Sequence, residues 1–425
     1  MSDDFLTREQ TENYGRYVAD PNEVQLARYF HLDERDLAFI NQRRGKHNRL
    51  GIALQLTTAR FLGTFLPDPL QIPSFIRFYI AAQLNISRPE ILSRYAEREN
   101  TRWEHQGLIK LYYDYHDFGD FPWTFRLKRL LYTRAWLSNE RPGLLFDFAT
   151  AWLLQNKILL PAASTLTRLI GEVRERASRR LWRRLALLPD SWQKAQLDGL
   201  LEIPEGQRIS VLEEIRKGPV TISGPSFTDA LERYTRLRSM EFSRLNFSGL
   251  PAIQLRNLAR YAGMASVKYI SRMPDERRLA VLTAFVKAQE ISALDEAVDV
   301  LDMLILDITR SAKSIGQKKR LRTLKDLDRA ALLLARACSL LLDENTDEAA
   351  LRQAIFRRIP KDKLAESVGK VNELARPQDT HFQDEMVEQY GRVKRFLSAM
   401  LRDLHFQAAP AGEHTLSAIH YLAEL

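Results

Sequence analysis

The sequence predicts a mainly α-helical, multi-domain protein, and three observations predict it. Apolar residues recur at helical spacing along nearly the whole chain. Strand-like alternation is confined to Val220-Thr221-Ile222-Ser223, framed by Gly218-Pro219 and Gly224-Pro225, the best candidate for a short strand. The 425 residues also exceed what one ordinary core organises, at a prior of roughly 150 residues per domain. Proline and glycine breaks at Leu66-Pro67-Asp68-Pro69, Gly119 to Pro122, Arg141-Pro142-Gly143, Leu188-Pro189, Ile203-Pro204, Gly249-Leu250-Pro251 and Arg376-Pro377 divide the helical pattern. The expected organisation is a first helical domain over 1–130, a second over 131–205, a connecting helical region over 206–270 and a helical scaffold over 271–425.

From the N-terminus, Met1 to Asp20 carries Asp3, Asp4, Glu9 and Glu12 and no apolar core, which excludes a secretory signal. Residues 43–110 then turn basic, with Arg43, Arg44, Lys46, Arg49, Arg60, Arg77, Arg88, Arg94, Arg98, Arg102 and Lys110 outnumbering the acids. Four of these, Arg43, Arg44, Lys46 and Arg49, stand at the entry to the amphipathic run Leu50 to Leu56. Backbone N–H groups at a helix start beside Lys and Arg favour a phosphate, and a solvated loop is the alternative.

Ile80 to Leu92 reads as a helix, a tight turn and a second helix. Asn85 tolerates the left-handed turn conformation, and Ser87 with Glu90 three residues on forms a capping box for the second helix. This is helix-turn-helix grammar, which would present Arg88, Arg94 and Arg98 to a major groove; an αα-hairpin with a solvated Arg face fits the same residues.

Farther on, Pro161 stops one element and Ser164 serves as the N-cap of the next, over Thr165 to Leu185 and supported by a preceding helix over Gly143 to Lys157. Leu166, Leu169, Ile170, Val173, Ala177 and Leu181 share one face, while Arg168, Arg176, Arg179 and Arg183 gather on the other, with Arg174, Arg180 and Arg184 adding to the density. The planar fork of Arg suits phosphate oxygens, so this face is expected to contact DNA, with a merely solvated face as the alternative. A third cluster, Lys313, Lys318, Lys319, Arg320, Arg322 and Lys325, offers Lys318, Lys319, Arg320 and Arg322 as candidate DNA contacts along a phosphate track, with a localisation-like signal or a solvated connection as alternatives.

Composition bounds the rest. Hydrophobic content of 45% with 28% charge is that of a folded globular protein. The 63 Lys and Arg against 54 acids give +9, which suits a polyanionic partner without requiring one. Cys338 alone supports neither an internal disulfide nor a Cys-based metal site, and its presence fits a reducing compartment. No apolar stretch approaches the roughly 20 residues of a membrane span. Asp295, Asp299 and Asp302 share a helix face, read as solvated rather than metal-binding, and no histidine, Gly-rich or zinc motif is present. No active site, cofactor or small-molecule substrate is expected of these residues.

Several segments together resemble a known family, the large DDE-type transposases of the Tn-three family of replicative transposons. They are Asp4-Phe5-Leu6-Thr7 with Glu9-Gln10, Gln25 to Phe30, Arg49 to Gln55 with Arg60 to Gly63, and Arg98 to His105, where Trp103 stands in place of a frequent basic residue. Leu160-Pro161, Ser164-Thr165-Leu166, Arg168-Leu169-Ile170, Leu258 to Tyr261 and Asp384 to Tyr390 extend the likeness to the end. The resemblance implies sequence-specific binding of terminal inverted repeats in double-stranded DNA by the N-terminal part of a replicative transposase. It also implies self-association and a place in the bacterial cytoplasm at the nucleoid. In the family, an RNase H-like domain with a divalent metal, Mg, cuts and joins DNA to form a cointegrate. One short strand candidate supplies no such sheet, so no catalytic residue is carried over and the chain alone is expected to be inactive. The alternatives are an α-helical interaction scaffold, with Ala280 to Ala293 and Leu294 to Ile308 packing against a partner, or a transposase-derived repressor without strand transfer.

Overall fold

The segment Leu50 to Ala59, expected to be amphipathic, is buried on every side, its three polar residues Gln55, Thr57 and Thr58 included. The computed structural model describes residues 5–342, 351–374 and 383–424. They are helical, and the one β-type pairing among them is an isolated bridge between His116 and Ile158. Two compact units are present: the first holds residues 1–188, 246–265 and 272–284, the second 189–245, 266–271 and 285–425.

In the first unit, α1 (Arg8–Asn13) is closed by a Thr7/Gln10 capping box. Residues Glu23–Gln25 lead into a π-helical turn, Leu26–Phe30. There follow α2 (Glu34–Asn41), α3 (Lys46–Leu62), α4 (Ser74–Gln83), α5 (Leu92–Ala96) and α6 (Glu99–Tyr113). Helix α3 is the axis on which α2, α4, α5 and α6 pack. Tyr95 of α5, fully buried, lies so close to α3 that any side chain at Gly51 would fall within its ring, which explains glycine inside a helix that otherwise disfavours it. Gly63, at φ +73°, ends α3 by donating to the carbonyl of Ala59.

This core contains one ionic network. Asp36, 1% exposed, accepts two N–H bonds from Arg60 at 2.7 and 2.6 Å and the Tyr113 hydroxyl at 2.6 Å, tying α2, α3 and α6 together. Burial pushes the Asp36 carboxyl up, but the hydrogen bonds from Arg60 and Tyr113 and the Arg60 charge outweigh it and hold the carboxyl below its ordinary value. Arg60, one of the cations of the basic stretch 43–110, is thus half-buried and committed to Asp36.

A second core forms where α7 (Trp123–Leu137), α8 (Pro142–Gln155) and α9 (Ala163–Ala186) meet around Leu127, Leu131, Leu145, Ala149, Leu166 and Ile170. Helix α9 starts at Ala163 with Ala162 as its cap residue, so Ser164 lies inside the helix and makes no cap. Past Leu188 the chain forms α10 (Ser191–Gly199) and α11 (Gly224–Ser239), then returns to the first unit as α12 (Ala252–Met264). There Gln254 donates to the carbonyls of Ala135 and Ser138 at 3.1 and 2.7 Å, and Leu255, Leu258 and Ala280 pack with Leu181 and Leu185 of α9.

In the second unit, α10 opens with an Asp190/Gln193 capping box, and the Gln193 amide reaches the Met240 carbonyl at 3.1 Å. Its core joins Phe227 and Leu231 of α11 to Ala297, Leu301 and Leu304 of α13 (Asp275–Leu341) and to Phe396 of α14 (Tyr390–Asp403). Buried Arg233 pairs with Glu296 and donates to the Lys217 carbonyl at 2.7 Å. The strand expected at Val220 to Ser223 is not formed. These residues have no partner strand, and Val220 is 93% exposed between the two Gly-Pro breaks.

Candidate nucleic-acid interface

The turn after α4 follows from its sequence. Asn85 takes φ +54°, Ile86 N–H reaches the Ala81 carbonyl at 2.9 Å and Asn85 N–H the Ala82 carbonyl at 3.2 Å, a Schellman closure with Ile86 buried beneath it. The second helix differs from expectation. Arg88 precedes Pro89, whose ring disfavours helical backbone in the preceding residue, and Arg88 is extended at φ −128°. Ser87 therefore cannot cap a helix there. The chain makes a 3-10 turn over Pro89–Ile91 and only then the five residues of α5, so no long recognition helix stands at this point.

Of the cations predicted here, Arg44, Lys46, Arg88, Arg94 and Arg98 are exposed. Arg49 is occupied with its own turn, donating to the carbonyls of Arg43 and Asn41 at 3.0 and 3.3 Å. Arg43 lies over the Phe39 ring at 5.5 Å, and Arg102 donates to the Pro67 carbonyl at 2.6 Å. Gly45, at φ +83°, lets the loop double back so that α3 begins at Lys46 with no side-chain cap. Burial lowers the pKa of His47 on that first turn, and the charges of Arg98 and Arg94 lower it further, so α3 and the α5–α6 junction present one positive surface.

The second surface is a groove of about 630 Å³ between α7 and α9. Arg176 and Arg180 line it from α9 together with one carboxylate, Glu172, Lys128 and Arg129 line it from α7, and Phe125, Tyr132 and Val173 supply its apolar parts. Arg180 is held in place, donating to the Tyr132 hydroxyl at 3.1 Å and lying over the Trp136 ring at 5.3 Å. Its neighbours on α9 differ. Arg168 and Arg179 pair with Glu172 and Glu175 one turn away, at 4.0 and 2.7 Å, and Arg183 is exposed. Exposed pairs of this kind are weak, so a phosphate can replace the carboxylate. Arg184 donates to the Gly249 carbonyl at 3.3 Å, and burial lowers the pKa of Arg174.

The sequence reading missed the contribution of α7. Its 15 residues include Arg126, Lys128, Arg129 and Arg134 and no acid, a signal hidden by the apolar and aromatic residues among them. Of the third cluster, Lys318 is exposed and Lys319 is bound to Glu388 and Glu385 at 2.7 and 3.6 Å. The side chains of Arg320 and Arg322 lie outside the described residues. Asp295, Asp299 and Asp302 are exposed on α13, and among the described residues no group of acids, histidines or cysteines is placed to hold a metal. No described helix is long and apolar enough to cross a membrane.

Comparison with known proteins gives two findings. A family profile described as a domain of unknown function (DUF4158) matches residues 5–173. The chain is also 77% identical over its full length to the transposase for transposon gamma-delta of Escherichia coli (strain K12), of which it covers 42%. Over 97% of its length it is 28% identical to the transposase for transposon Tn501 of Pseudomonas aeruginosa, and over 99% it is 26% identical to that of Tn1546 of Enterococcus faecium. It covers 41% and 42% of those proteins.

Proposed function

With this likeness to transposases as the premise, we propose that the chain is the DNA-recognition portion of a longer replicative transposase, in which it binds the terminal inverted repeats of the transposon. The observation that carries the reading is the pairing of two exposed cationic surfaces within one unit, at the start of α3 and in the α7–α9 groove. Two contact surfaces within one compact unit lengthen a footprint and fix its register on the duplex. On this reading cutting and joining, with their divalent metal, belong to the rest of the transposase, and this portion needs no cofactor of its own.

Self-association is the second part of the proposal. Ile291, Val298 and Ile305 repeat at intervals of seven along α13 and are 55%, 46% and 50% exposed, the spacing of a helix–helix seam. The test of the DNA reading is fluorescence anisotropy with a terminal-repeat duplex and a scrambled duplex of the same length. Tighter binding of the repeat at every salt concentration is expected. Equal affinities throughout overturn sequence-specific recognition.

A further inference from the structure

The α7–α9 groove carries more aromatic character than phosphate contact requires. Phe125 lines it while remaining 63% exposed, beside four cations that outnumber the single carboxylate, Glu172, and would suffice to hold a duplex backbone. A phosphodiester gives a phenyl ring nothing to stack on, whereas every nucleobase has a face that does. The groove is open to solvent along its length and roomy enough for a planar ring. Its volume of about 630 Å³ lies within the roughly 300–1,000 Å³ of pockets that enclose small ligands, with Val173 and Tyr132 as apolar walls and Arg180 fixed by Tyr132 and Trp136. The bases of an intact duplex are stacked on one another, so their faces are not free to meet an exposed ring.

We infer that this groove takes an unpaired nucleotide, its base stacked on Phe125 and the flanking phosphates held by Lys128, Arg129, Arg176 and Arg180. The site would thus favour DNA ends or repeats in which a base is melted or extruded. The inference rests on the proposed DNA-binding function and adds the conformation of the DNA that is bound.

The experiment uses the full chain and three fluorescent probes: the intact repeat duplex, the same duplex with one unpaired thymine, and a dT 12-mer. Phe125→Ala is expected to weaken the 12-mer and the thymine-bulged duplex by roughly 5- to 150-fold, the span of base–aromatic stacking, and to leave the intact duplex unchanged. Phe125→Trp should restore the loss. The exposure of Phe125 makes both variants compatible with folding. Equal effects of Phe125→Ala on all three probes, or none on any, overturn the inference while leaving duplex recognition standing. Competition by a poly-glutamate peptide as effective as the dT 12-mer also overturns it, by marking the groove as a general anion site. Failure of the wild-type chain to bind any of the three probes overturns the DNA reading itself.

Discussion

His105 sits in the core of the first unit, 4% exposed, with its Nδ1 3.0 Å from the Tyr95 hydroxyl and the two rings stacked 5.5 Å apart. Burial, with the Arg43 charge adding to it, lowers the histidine from 6.5 to about 4, while burial raises Tyr95 above the ordinary tyrosine value. Tyr95 is therefore the donor and neutral His105 the acceptor. The folded histidine stays neutral down to about pH 4, whereas the unfolded one takes up a proton near 6.5. Its stabilising contribution is complete above pH 6.5 and is lost as the pH falls toward 4. Integrating between pH 7 and pH 5 gives an upper bound of about 2 kcal/mol, or roughly 1 M in urea midpoint for a small unit. The perturbation is His105→Asn, whose amide oxygen accepts from Tyr95 and does not titrate. The assay is hydrogen exchange of the peptide over residues 46–62 across a urea series at both pH values. Wild type should lose up to about 2 kcal/mol more than the variant between the two. Equal losses would refute a neutral buried histidine here.

Asp36→Asn leaves Arg60 with an uncompensated charge and should destabilise the first unit by about 3–5 kcal/mol by denaturation; in wild type this contribution is present above the usual Asp value and is lost as pH falls through the depressed one. Gly51→Ala should cost about 1–3 kcal/mol against the Tyr95 ring, whereas Gly107→Ala, with nothing near the new methyl, should add up to about 1 kcal/mol; thermal melts of the two variants should move in opposite directions. Arg176→Ala with Arg180→Ala should flatten the dependence of log affinity on log salt by about 2 for the repeat duplex, because each lost phosphate contact releases about one counterion fewer. An unchanged slope in anisotropy titrations removes the groove from the interface.

The helical class was legible because period dominates composition throughout, and the two faces of α9 were legible because one long helix carries both. The left-handed turn at Asn85 followed from a local rule and occurs where that rule puts it. Errors arose where one local rule overrode another or where a partner lay far away in sequence. The Ser87 capping box was cancelled by Pro89, two residues on. Arg60 reads as one more surface cation until Asp36 and Tyr113 are brought to it from α2 and α6. Lys128 and Arg129 gain meaning only once α7 is laid against α9, which no pattern within either segment specifies.

Helix α9 belongs to two cores at once: its first half packs with α7 and α8, its second half with α12. At about 1.5 Å per residue its 24 residues form a rod of about 36 Å, close to one turn of B-DNA. A rod seated at both ends transmits phase. Inserting a single residue near Ser178 would rotate everything beyond it by about 100°, carrying Leu181 and Leu185 out of their core and Arg180 out of register with Arg176. The surface stretch Ile203 to Arg208, which carries no such phase, can vary in length at little cost. Length variation among relatives should therefore accumulate there and be purged from α9, so the spacing between its arginines is inherited as a fixed ruler even as the side chains around them drift.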